Sequence, residues 1–415
     1  MQSKTSTTYF LYILLALSYF FSYFFRISTS VVLPELQIEW GLSAAVVGFI
    51  SSMYFYTYAL LQPFCGILSD QYGPVRIIMI GITITAIGSF LFGLGTNVGM
   101  LIAGRLLMGI GLSPMLGGLL VYQSQSFAAN RYAFLSGLSM TIGNFGSVVS
   151  VAPLSIAIAS WGREYVFSSL SCLTLLIAVL LWILGRNTHS VRRSCEKSFS
   201  AVLRRRLYIA CDIIHRSASL RVIILDWMII FGGLMAFQGL WAVSWYHTCY
   251  PDAGKMASIA ASMIGVGVMI GNFLGGNIGS IERQTVLKSV TVANFLIWMA
   301  MLLSFRLRFP LSMTMLFSFL LGIIDGILFV HFTATVNEVS PVGHGGAVFG
   351  VTNCCTFTAV IIFQWGTGVL LGKLQNEHTA TQAYFFVFLV VTMFMVIPAI
   401  ITKGIRDISR VEGSL

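Results

Sequence analysis

Long apolar runs separated by short polar breaks repeat along the whole chain. Each run holds roughly 20 or more residues, which is enough for a helix to cross the roughly 30 Å hydrocarbon core of a bilayer. The pattern therefore predicts an all-α membrane protein with twelve transmembrane helices. The predicted spans are 9–33, 43–67, 77–96, 98–123, 132–157, 164–185, 220–247, 256–279, 286–305, 311–337, 346–372 and 381–402.

One long polar segment divides the twelve spans into two sets of six. In both sets a basic residue opens a span and a glycine follows six positions later, at Arg131 and Gly137 in the first set and at His344 and Gly350 in the second. We interpret the two sets as pseudo-repeats. The predicted parts are a first half (1–185), a basic central loop (186–219) and a second half (220–415).

The composition agrees with a membrane location, because 57% of the residues are hydrophobic and only 9% are charged. Seventeen lysines and arginines lie on the side that holds both termini, and five lie on the other side. This bias places both termini in the cytoplasm, and it accounts for the net charge of +10 without nucleic acid. The first run has no small-residue cleavage site, so we interpret it as a retained span. Short loops favour a bacterial inner membrane.

The first hairpin on the cytoplasmic side carries the most specific motif of the chain. Glycines allow a tight turn between packed helices, and an acid and a base on a short loop can bind opposite charges and hold one conformation. We interpret Gly66, Asp70, Gly73 and Arg76 as a gating motif. The segment 66–76 resembles motif A of the major facilitator superfamily, and this resemblance implies the twelve-helix fold of that superfamily and transport as the function.

A narrower resemblance covers the first half, up to about residue 185. It rests on Tyr23-Phe-Phe-Arg26, Pro34, the pattern Arg105-x-x-x-Gly109-x-Gly111 and Trp161-Gly-Arg163-Glu164. These motifs resemble the organophosphate antiporter and anion:cation symporter branch of the superfamily. In that branch an arginine of the first span commonly contacts the substrate anion, and the resemblance implies this role for Arg26. The antiporters have a second arginine within the seventh span, whereas here that span has only Arg221, at its cytoplasmic edge, so organophosphate exchange is not favoured.

Two arginines lie well inside predicted spans, away from the span ends, where an arginine costs roughly 2.5–3.5 kcal/mol on insertion scales. Arg26 shares a helical face with Tyr23 and Ser30, and such a polar stripe favours an interior cavity. We interpret Arg26 as a substrate contact, with a structural anchor as the alternative. Arg105 opens a glycine pattern that the superfamily often uses for proton or conformational coupling. A snorkelling arginine at the membrane interface would give the same pattern.

Acids and histidines inside the spans are candidates for proton coupling, because their protonation responds to desolvation and to nearby charge as a cavity alternates. The candidates are Asp226, Asp325 and His331. Asp325 and His331 lie about 240° apart around one helix, so no direct pair is predicted. The alternative is that Asp226 lies near the membrane interface and Asp325 is satisfied by a neighbouring helix, with coupling elsewhere or absent.

Amide and aromatic side chains within the spans complete the candidate binding site. Amides could line a polar cavity or join neighbouring helices by hydrogen bonds. Two tryptophans, four residues apart on the seventh span, could hold an organic substrate or form an interfacial belt. These candidates are Gln123, Asn144, Gln238, Trp241, Trp245, Asn353 and Gln364.

The leading hypothesis is proton-coupled uptake of a small organic solute, with an anion as one option, by alternating access between two halves. Proton-driven efflux of a siderophore, drug or metabolite is the alternative within transport. A non-transporting receptor or scaffold on the same fold is a third hypothesis. The sequence has no catalytic grouping, metal-ligand spacing or phosphate-binding loop, so no enzyme activity, cofactor or metal is predicted. A monomer in the lipid bilayer is the expected form.

Overall fold

The computed structural model describes residues 2–186, 199–278, 283–340 and 345–401. These residues are almost entirely helical, and no strand occurs among them. Eleven helices are long and apolar enough to cross a membrane, and a pair bent by 45°, Phe134–Val149 and Ala152–Trp161, gives a twelfth span. The prediction of an all-α chain with twelve apolar spans is confirmed.

Several of the first six spans consist of two helices because the chain breaks inside the span. Pro114 accounts for one break, since proline lacks a backbone N–H and clashes with the preceding turn. The helices are α1 (Gln2–Ile27), α2 (Thr29–Glu39), α3 (Ala44–Tyr72), α4 (Pro74–Gly93), α5 (Val98–Leu112), α6 (Met115–Ser126), α7 (Ala129–Val149), α8 (Ala152–Trp161) and α9 (Arg163–Gly185).

The segment predicted as a central loop contains a helix, α10 (Phe199–Arg216). Ile209, Ala210 and Ile213 are buried on one side of α10, and this helical spacing of apolar residues is what makes the helix amphipathic. The prediction overlooked that periodicity because the arginines dominate the segment. Part of the predicted basic loop, with Arg192, Arg193 and Lys197, lies outside the described residues.

The seventh span contains a π-helical segment, Phe237–Trp241, between two α-helices. A π-helical turn shifts the backbone bonding from i−4 to i−5 and is often found at functional sites. The helices of this half are α11 (Ala218–Ala236), α12 (Ala242–Cys249), α13 (Lys255–Asn277), α14 (Arg283–Leu307), α15 (Leu311–Val339), α16 (Gly345–Leu374), α17 (Ala380–Phe394) and α18 (Val396–Ile401), with a 3-10 turn at Pro251–Ala253. His344, the second basic residue of the proposed repeat, lies outside the described residues.

Glycines permit the closest helix contacts in the bundle. A Cβ atom on Gly48 of α3 would lie 2.6 Å from the backbone oxygen of Gln364 on α16. A Cβ atom on Gly267 of α13 would lie 2.1 Å from the backbone oxygen of Phe319 on α15. Lipid tails are as apolar as the helix surfaces, so membrane helices associate through such close packing.

The bundle has two ends that differ in how the first and last six spans meet. We call the end where α3 turns into α4, at Gly73, the hairpin end, and the end where α8 turns into α9, at Gly162, the opposite end. Both glycines have positive φ, +87° and +82°, a conformation that glycine adopts without steric cost. Towards the opposite end, Ser258 of α13 donates a 3.1 Å hydrogen bond to Ser155 of α8. The two sets of helices are therefore joined there.

Candidate functional site

A cavity lies between the first six and the last six spans. Helices α1, α3, α6 and α7 line it on one side, and α11, α13, α15, α16 and the π-helical segment line it on the other. Phe349 lies near the start of α16 and Asn272 near the end of α13, and both are close to the hairpin end. The cavity therefore extends from the middle of the bundle towards the hairpin end.

Arg26, in the last turn of α1, is the single basic side chain among the described residues that line the cavity. Only 4% of it is exposed. Its guanidinium carbon lies 4.7 Å from the ring centre of Tyr23, 5.2 Å from that of Tyr58 and 5.1 Å from that of Phe357. Cation–π contacts of this kind stabilise a charge by about 0.5–2 kcal/mol each. We call these three rings the arginine cage.

The arginine cage leaves the charge of Arg26 without a counter-ion. Within the described part of the chain Arg26 forms no ion pair, and its Nε has no hydrogen-bond partner. The planar donor fork of an arginine matches the oxygens of a carboxylate, sulfonate or phosphate. The arrangement can therefore bind an anion.

Asp325 of α15 is the single acidic side chain among the described lining residues. It is 2% exposed, and neither of its carboxyl oxygens has a hydrogen-bond partner in the described structure. An ionised carboxylate in such surroundings costs several kcal/mol. A proton or a cationic partner removes that cost, so Asp325 has the chemistry of a proton-binding or cation-binding group.

Aromatic rings form a continuous wall between these two charged positions. The ring centres of Phe357 and Phe231 are 5.9 Å apart, those of Phe231 and Trp227 are 5.2 Å apart, and those of Trp227 and Phe329 are 5.7 Å apart. Phe357 also belongs to the arginine cage, and Phe329 follows Asp325 by one helical turn. We call these four residues the aromatic wall.

The structure brings six of the sequence candidates together in the cavity. They come from five spans and include both charged positions. The six are Tyr23, Arg26, Asn144, Gln238, Asn353 and Asp325. Two of the amides already donate one hydrogen bond each to the protein. Asn144 donates to the backbone oxygen of Met140 at 2.9 Å, and Asn353 donates to the side chain of Gln62 at 3.4 Å.

Four other binding candidates lie outside the cavity lining. Gln123 donates to Ser139 at 2.7 Å and so ties α6 to α7. Trp241 donates to Thr367 at 2.9 Å, and Trp245 packs against Phe237 with ring centres 5.6 Å apart. Both tryptophans are buried, and neither belongs to the residues that line the cavity.

Gln364, the fourth of these, joins the two sets of helices. It accepts a 2.9 Å hydrogen bond from Ser51 and donates a 3.0 Å hydrogen bond to the backbone oxygen of Met235. Nearby, Thr29 donates to the backbone oxygen of Gly239 at 2.9 Å. Gly239 lies in the π-helical segment and Met235 just before it, so the irregular backbone supplies acceptors to both bonds. We call these five residues the bridging network.

Arg105 is fully buried rather than interfacial. It donates a 2.6 Å hydrogen bond to the backbone oxygen of Phe25 and a 3.0 Å hydrogen bond to that of Ser51. Its guanidinium carbon lies 4.8 Å from the centre of the Tyr54 ring. Arg105 therefore anchors α5 to α1 and α3, and the snorkelling alternative does not describe its position.

The other coupling candidates lie away from the cavity lining. Asp226 is buried beside Thr291 of α14, and its Oδ1 has no hydrogen-bond partner in the described structure. His331 is buried on α15. Neither side chain belongs to the residues that line the cavity.

The gating motif pairs with α10. Asp70, near the end of α3, forms an ion pair with Arg206 of α10 at 3.3 Å, and both side chains are more than 40% exposed. Gly73 forms the turn into α4, and Arg76 is exposed. A Cβ atom on Gly66 would meet no atom within 4 Å, so this glycine is not required by close packing.

Sequence reasoning missed most of the aromatic lining and one amide. An aromatic residue in an apolar span gives the same pattern whether it faces lipid, core or cavity. For Asn272 a signal was present, because it stands between Gly271 and Gly275 on a helix face that packs closely. The missed residues include Tyr19, Tyr58, Trp227, Phe231, Asn272, Phe329 and Phe357.

Apolar membrane-spanning helices around a central cavity with buried charges are the arrangement of a multi-pass membrane transporter. The model of the Major Facilitator Superfamily matches residues 15–364. The chain belongs to this superfamily, whose members are transporters and not enzymes.

Curated relatives match over shorter segments. A probable sulfoacetate transporter, SauU, of Cupriavidus necator is 25% identical over 173 residues, which are 40% of this chain and 39% of that protein. A probable hexose phosphate transport protein of Chlamydia trachomatis is 35% identical over 82 residues, or 20% of this chain and 18% of that protein. The matched segments thus cover less than half of either relative.

Solved structures match over nearly the whole chain. A D-xylose-proton symporter has a TM-score of 0.73 and 14% identity, with 95% of this chain and 98% of that chain covered. A bacterial homologue of the lysosomal transporter Spinster, in an inward-facing and unoccupied conformation, also has a TM-score of 0.73, with 15% identity. These matches show the fold.

Proposed function

We propose that this transporter takes up a small organic anion together with a proton. The observation that carries the proposal is that one cavity holds a caged arginine without an ion pair and a carboxyl group without a hydrogen-bond partner. In this proposal Arg26 contacts the anion and Asp325 carries the proton. Sulfoacetate and hexose phosphates, the substrates in the names of two relatives, are anions, and one protein of the same fold is named a proton symporter.

Charge balance explains why an anion and a proton would move together. The bound anion neutralises Arg26, and a proton neutralises Asp325, so the loaded cavity carries no net charge. Neutral contents lower the cost of enclosing the cavity in surroundings of low dielectric constant. With the anion alone, the unprotonated carboxyl group would keep a buried negative charge. Closure with both ligands is therefore favoured over closure with one.

The proposed cycle places the hairpin end in the cytoplasm. The basic residues concentrate at that end, as the positive-inside rule requires, and both termini belong to the same side. The cavity extends towards the hairpin end, whereas the bridging network lies on its other side. We assign this conformation to a state closed to the outside of an inner membrane. The halves 1–185 and 220–415 would rock about the cavity, and we expect a monomer to carry out this cycle.

A binding screen with a matched arginine control tests the anion site. Purified protein is heated with carboxylates, sulfonates, phosphates, sugars and organic cations, and the unfolding temperature is followed. We expect stabilisation by an anion, lost in Arg26→Gln. Arg163→Gln is the control and should retain it, because Arg163 donates to the backbone oxygen of Gly95 outside the cavity. Stabilisation only by organic cations, unchanged in Arg26→Gln, would reject the proposal in favour of efflux.

Proton coupling is tested in proteoliposomes that contain the pH-sensitive dye pyranine. An inward gradient of the stabilising anion should acidify the lumen through the wild-type protein. Asp325→Asn should still bind the anion but should not acidify the lumen. Asp212→Asn, which removes an acid of the α10 surface paired with Arg216, is the control and should behave as wild type. Anion entry without any pH change would show that the coupling part of the proposal is wrong.

A further inference from the structure

The charged groups around the cavity limit the charge of the solute. Arg26 is the single cation and Asp325 the single acid among the described lining residues. A solute with two negative charges would leave one of them without a cation, close to a buried carboxyl group. An unpaired charge in a site of low dielectric constant is strongly disfavoured. The cavity therefore matches one negative charge.

The arginine cage limits how that charge is bound. Its rings lie 4.7–5.2 Å from the guanidinium carbon and accept no conventional hydrogen bond from it, so the N–H groups, which lie in the guanidinium plane, remain the groups able to donate to a solute. A carboxylate or sulfonate can accept two parallel hydrogen bonds from that edge. The same geometry brings the body of the solute next to rings, because Phe357 belongs to both the cage and the aromatic wall.

The aromatic wall determines which solute body fits best. Its rings follow one another at 5.2–5.9 Å. Trp227 and Phe231 stack on each other with their planes 27° apart, whereas Phe231 and Phe357 are nearly perpendicular at 81°, so the wall offers both ring faces and ring edges. A solute ring can pack against them edge-to-face or in an offset stack, and aromatic pairs gain stabilisation beyond their buried area. A sugar ring instead needs many hydrogen-bonding partners, and Asn144 and Asn353 already donate to protein atoms.

On the basis of the proposed function, we infer that the solute is a monoanion with a flat aromatic body, held by its anionic group at Arg26 and by its ring on the aromatic wall. This substrate class differs from hexose phosphates, which carry a more highly charged group on a polar body. Amide groups that remain available, such as that of Gln238, can accept a hydrogen bond from a single polar substituent of the ring or donate one to it.

Three sulfonates test separately how the number of negative charges and the presence of an aromatic ring affect binding. Sulfonates are chosen because each stays fully ionised around neutral pH. Binding of methanesulfonate, benzenesulfonate and benzene-1,3-disulfonate to the purified wild-type protein is measured by calorimetry. We expect benzenesulfonate to bind at least tenfold more tightly than methanesulfonate, since only it reaches the wall. We expect the disulfonate to bind at least tenfold more weakly than benzenesulfonate. Equal affinity within either pair, or no binding of benzenesulfonate, overturns the inference.

Two variants separate the ring site from the anion site. Phe231→Leu should weaken the binding of benzenesulfonate by about three- to tenfold and leave the affinity for methanesulfonate within about twofold, because only the contact between aromatic rings is lost. Phe386→Leu replaces an exposed ring of α17 and should leave both affinities unchanged. If the sulfonates bind through Arg26 without a ring preference, the inference falls and the proposed anion transport stands. If their binding is indifferent to Arg26→Gln, the proposed anion site falls as well.

Discussion

The side chain of Arg105 donates a 2.6 Å hydrogen bond to the backbone oxygen of Phe25, the residue directly before Arg26. A second hydrogen bond, 3.0 Å long, reaches the backbone oxygen of Ser51 on α3. One buried guanidinium group therefore fixes the backbone that carries the candidate anion-binding arginine. Arg105 does not line the cavity, so it acts on the site by positioning Arg26.

Arg105→Lys is expected to weaken binding of benzenesulfonate by about tenfold or more. A lysine keeps the charge, but it lacks the planar fork that bonds to two carbonyl oxygens at once, and hydrogen bonds to charged groups are worth about 1.5–3 kcal/mol. Calorimetric titration measures the affinity, and the unfolding temperature reports any loss of stability. Arg163→Lys provides the matched control. An unchanged affinity in Arg105→Lys would mean that Arg26 is positioned without this anchor.

Asp70→Asn is expected to slow transport by about two- to fivefold and to leave solute affinity within about twofold. The ion pair of Asp70 with Arg206 is exposed, and exposed pairs contribute about 0–1 kcal/mol, so only a small rate change is available. The pair holds α10 against α3, and neither residue lines the cavity, which is why binding should not change. Initial rates in proteoliposomes and calorimetric affinities measure the two effects.

The double variant Asp70→Asn with Arg206→Gln shows whether the two residues act as a pair. Its rate should match that of either single variant, since the second change removes nothing further. Exchange of the two charges, Asp70→Arg with Arg206→Asp, should recover part of the rate. Additive losses in the double variant would assign the effect of Asp70 to another contact.

Gly48→Val is expected to reduce transport more than tenfold. A Cβ atom at this position would lie 2.6 Å from the backbone oxygen of Gln364, so α3 and α16 would have to separate. The state that is closed towards the opposite end would then be lost. Ala45 lies at the start of α3, where its backbone nitrogen would be 3.7 Å from a Cβ atom on Gly372 of α16. Transport rates and labelling of an Ala45→Cys variant by a membrane-impermeant maleimide measure the change, and labelling should increase.

The matched control for Gly48→Val is a glycine of α16, the helix against which Gly48 packs. A Cβ atom on Gly366 would meet no atom within 4 Å, so Gly366→Val should transport at a rate close to wild type. Equal rates in Gly48→Val and wild type would show that the contact between α3 and α16 does not close the cavity.

Apolar periodicity predicted the spans well, because a helix must satisfy its own backbone in lipid and must be apolar along about 20 residues. The breaks inside spans were not predictable in this way. The π-helical segment remains apolar in sequence, and the backbone oxygens in it and directly before it accept hydrogen bonds from Thr29 and Gln364, two residues of other helices. Such tertiary contacts leave no local pattern.

The charged part of the candidate site was also predictable, since a buried charge in a span is rare and needs a partner. Arg26 and Asp325 stood out for this reason. The rings that surround them did not, because Trp227 and Phe231 fit lipid contact, core packing and cavity lining equally well. The role of the Gln364 side chain was not predictable for a similar reason, because an amide that lines a cavity and an amide that joins two helices give the same sequence pattern.

Gln364→Leu is expected to reduce transport about tenfold and to increase labelling of the cysteine at position 45. The leucine has a similar volume but cannot bond to Ser51 or to the backbone oxygen of Met235, so two links of the bridging network are lost and their buried partners remain unsatisfied. Each unsatisfied group costs about 1–3 kcal/mol in the closed arrangement. Separation of α3 from α16 admits water to these groups, and the equilibrium therefore shifts towards a state open at the opposite end.

Thr358→Val, which removes a hydroxyl group from an exposed position of α16, is the control and should change neither the transport rate nor the labelling. Reduced transport with unchanged labelling would place the role of Gln364 in folding of the second half and not in closure of the cavity.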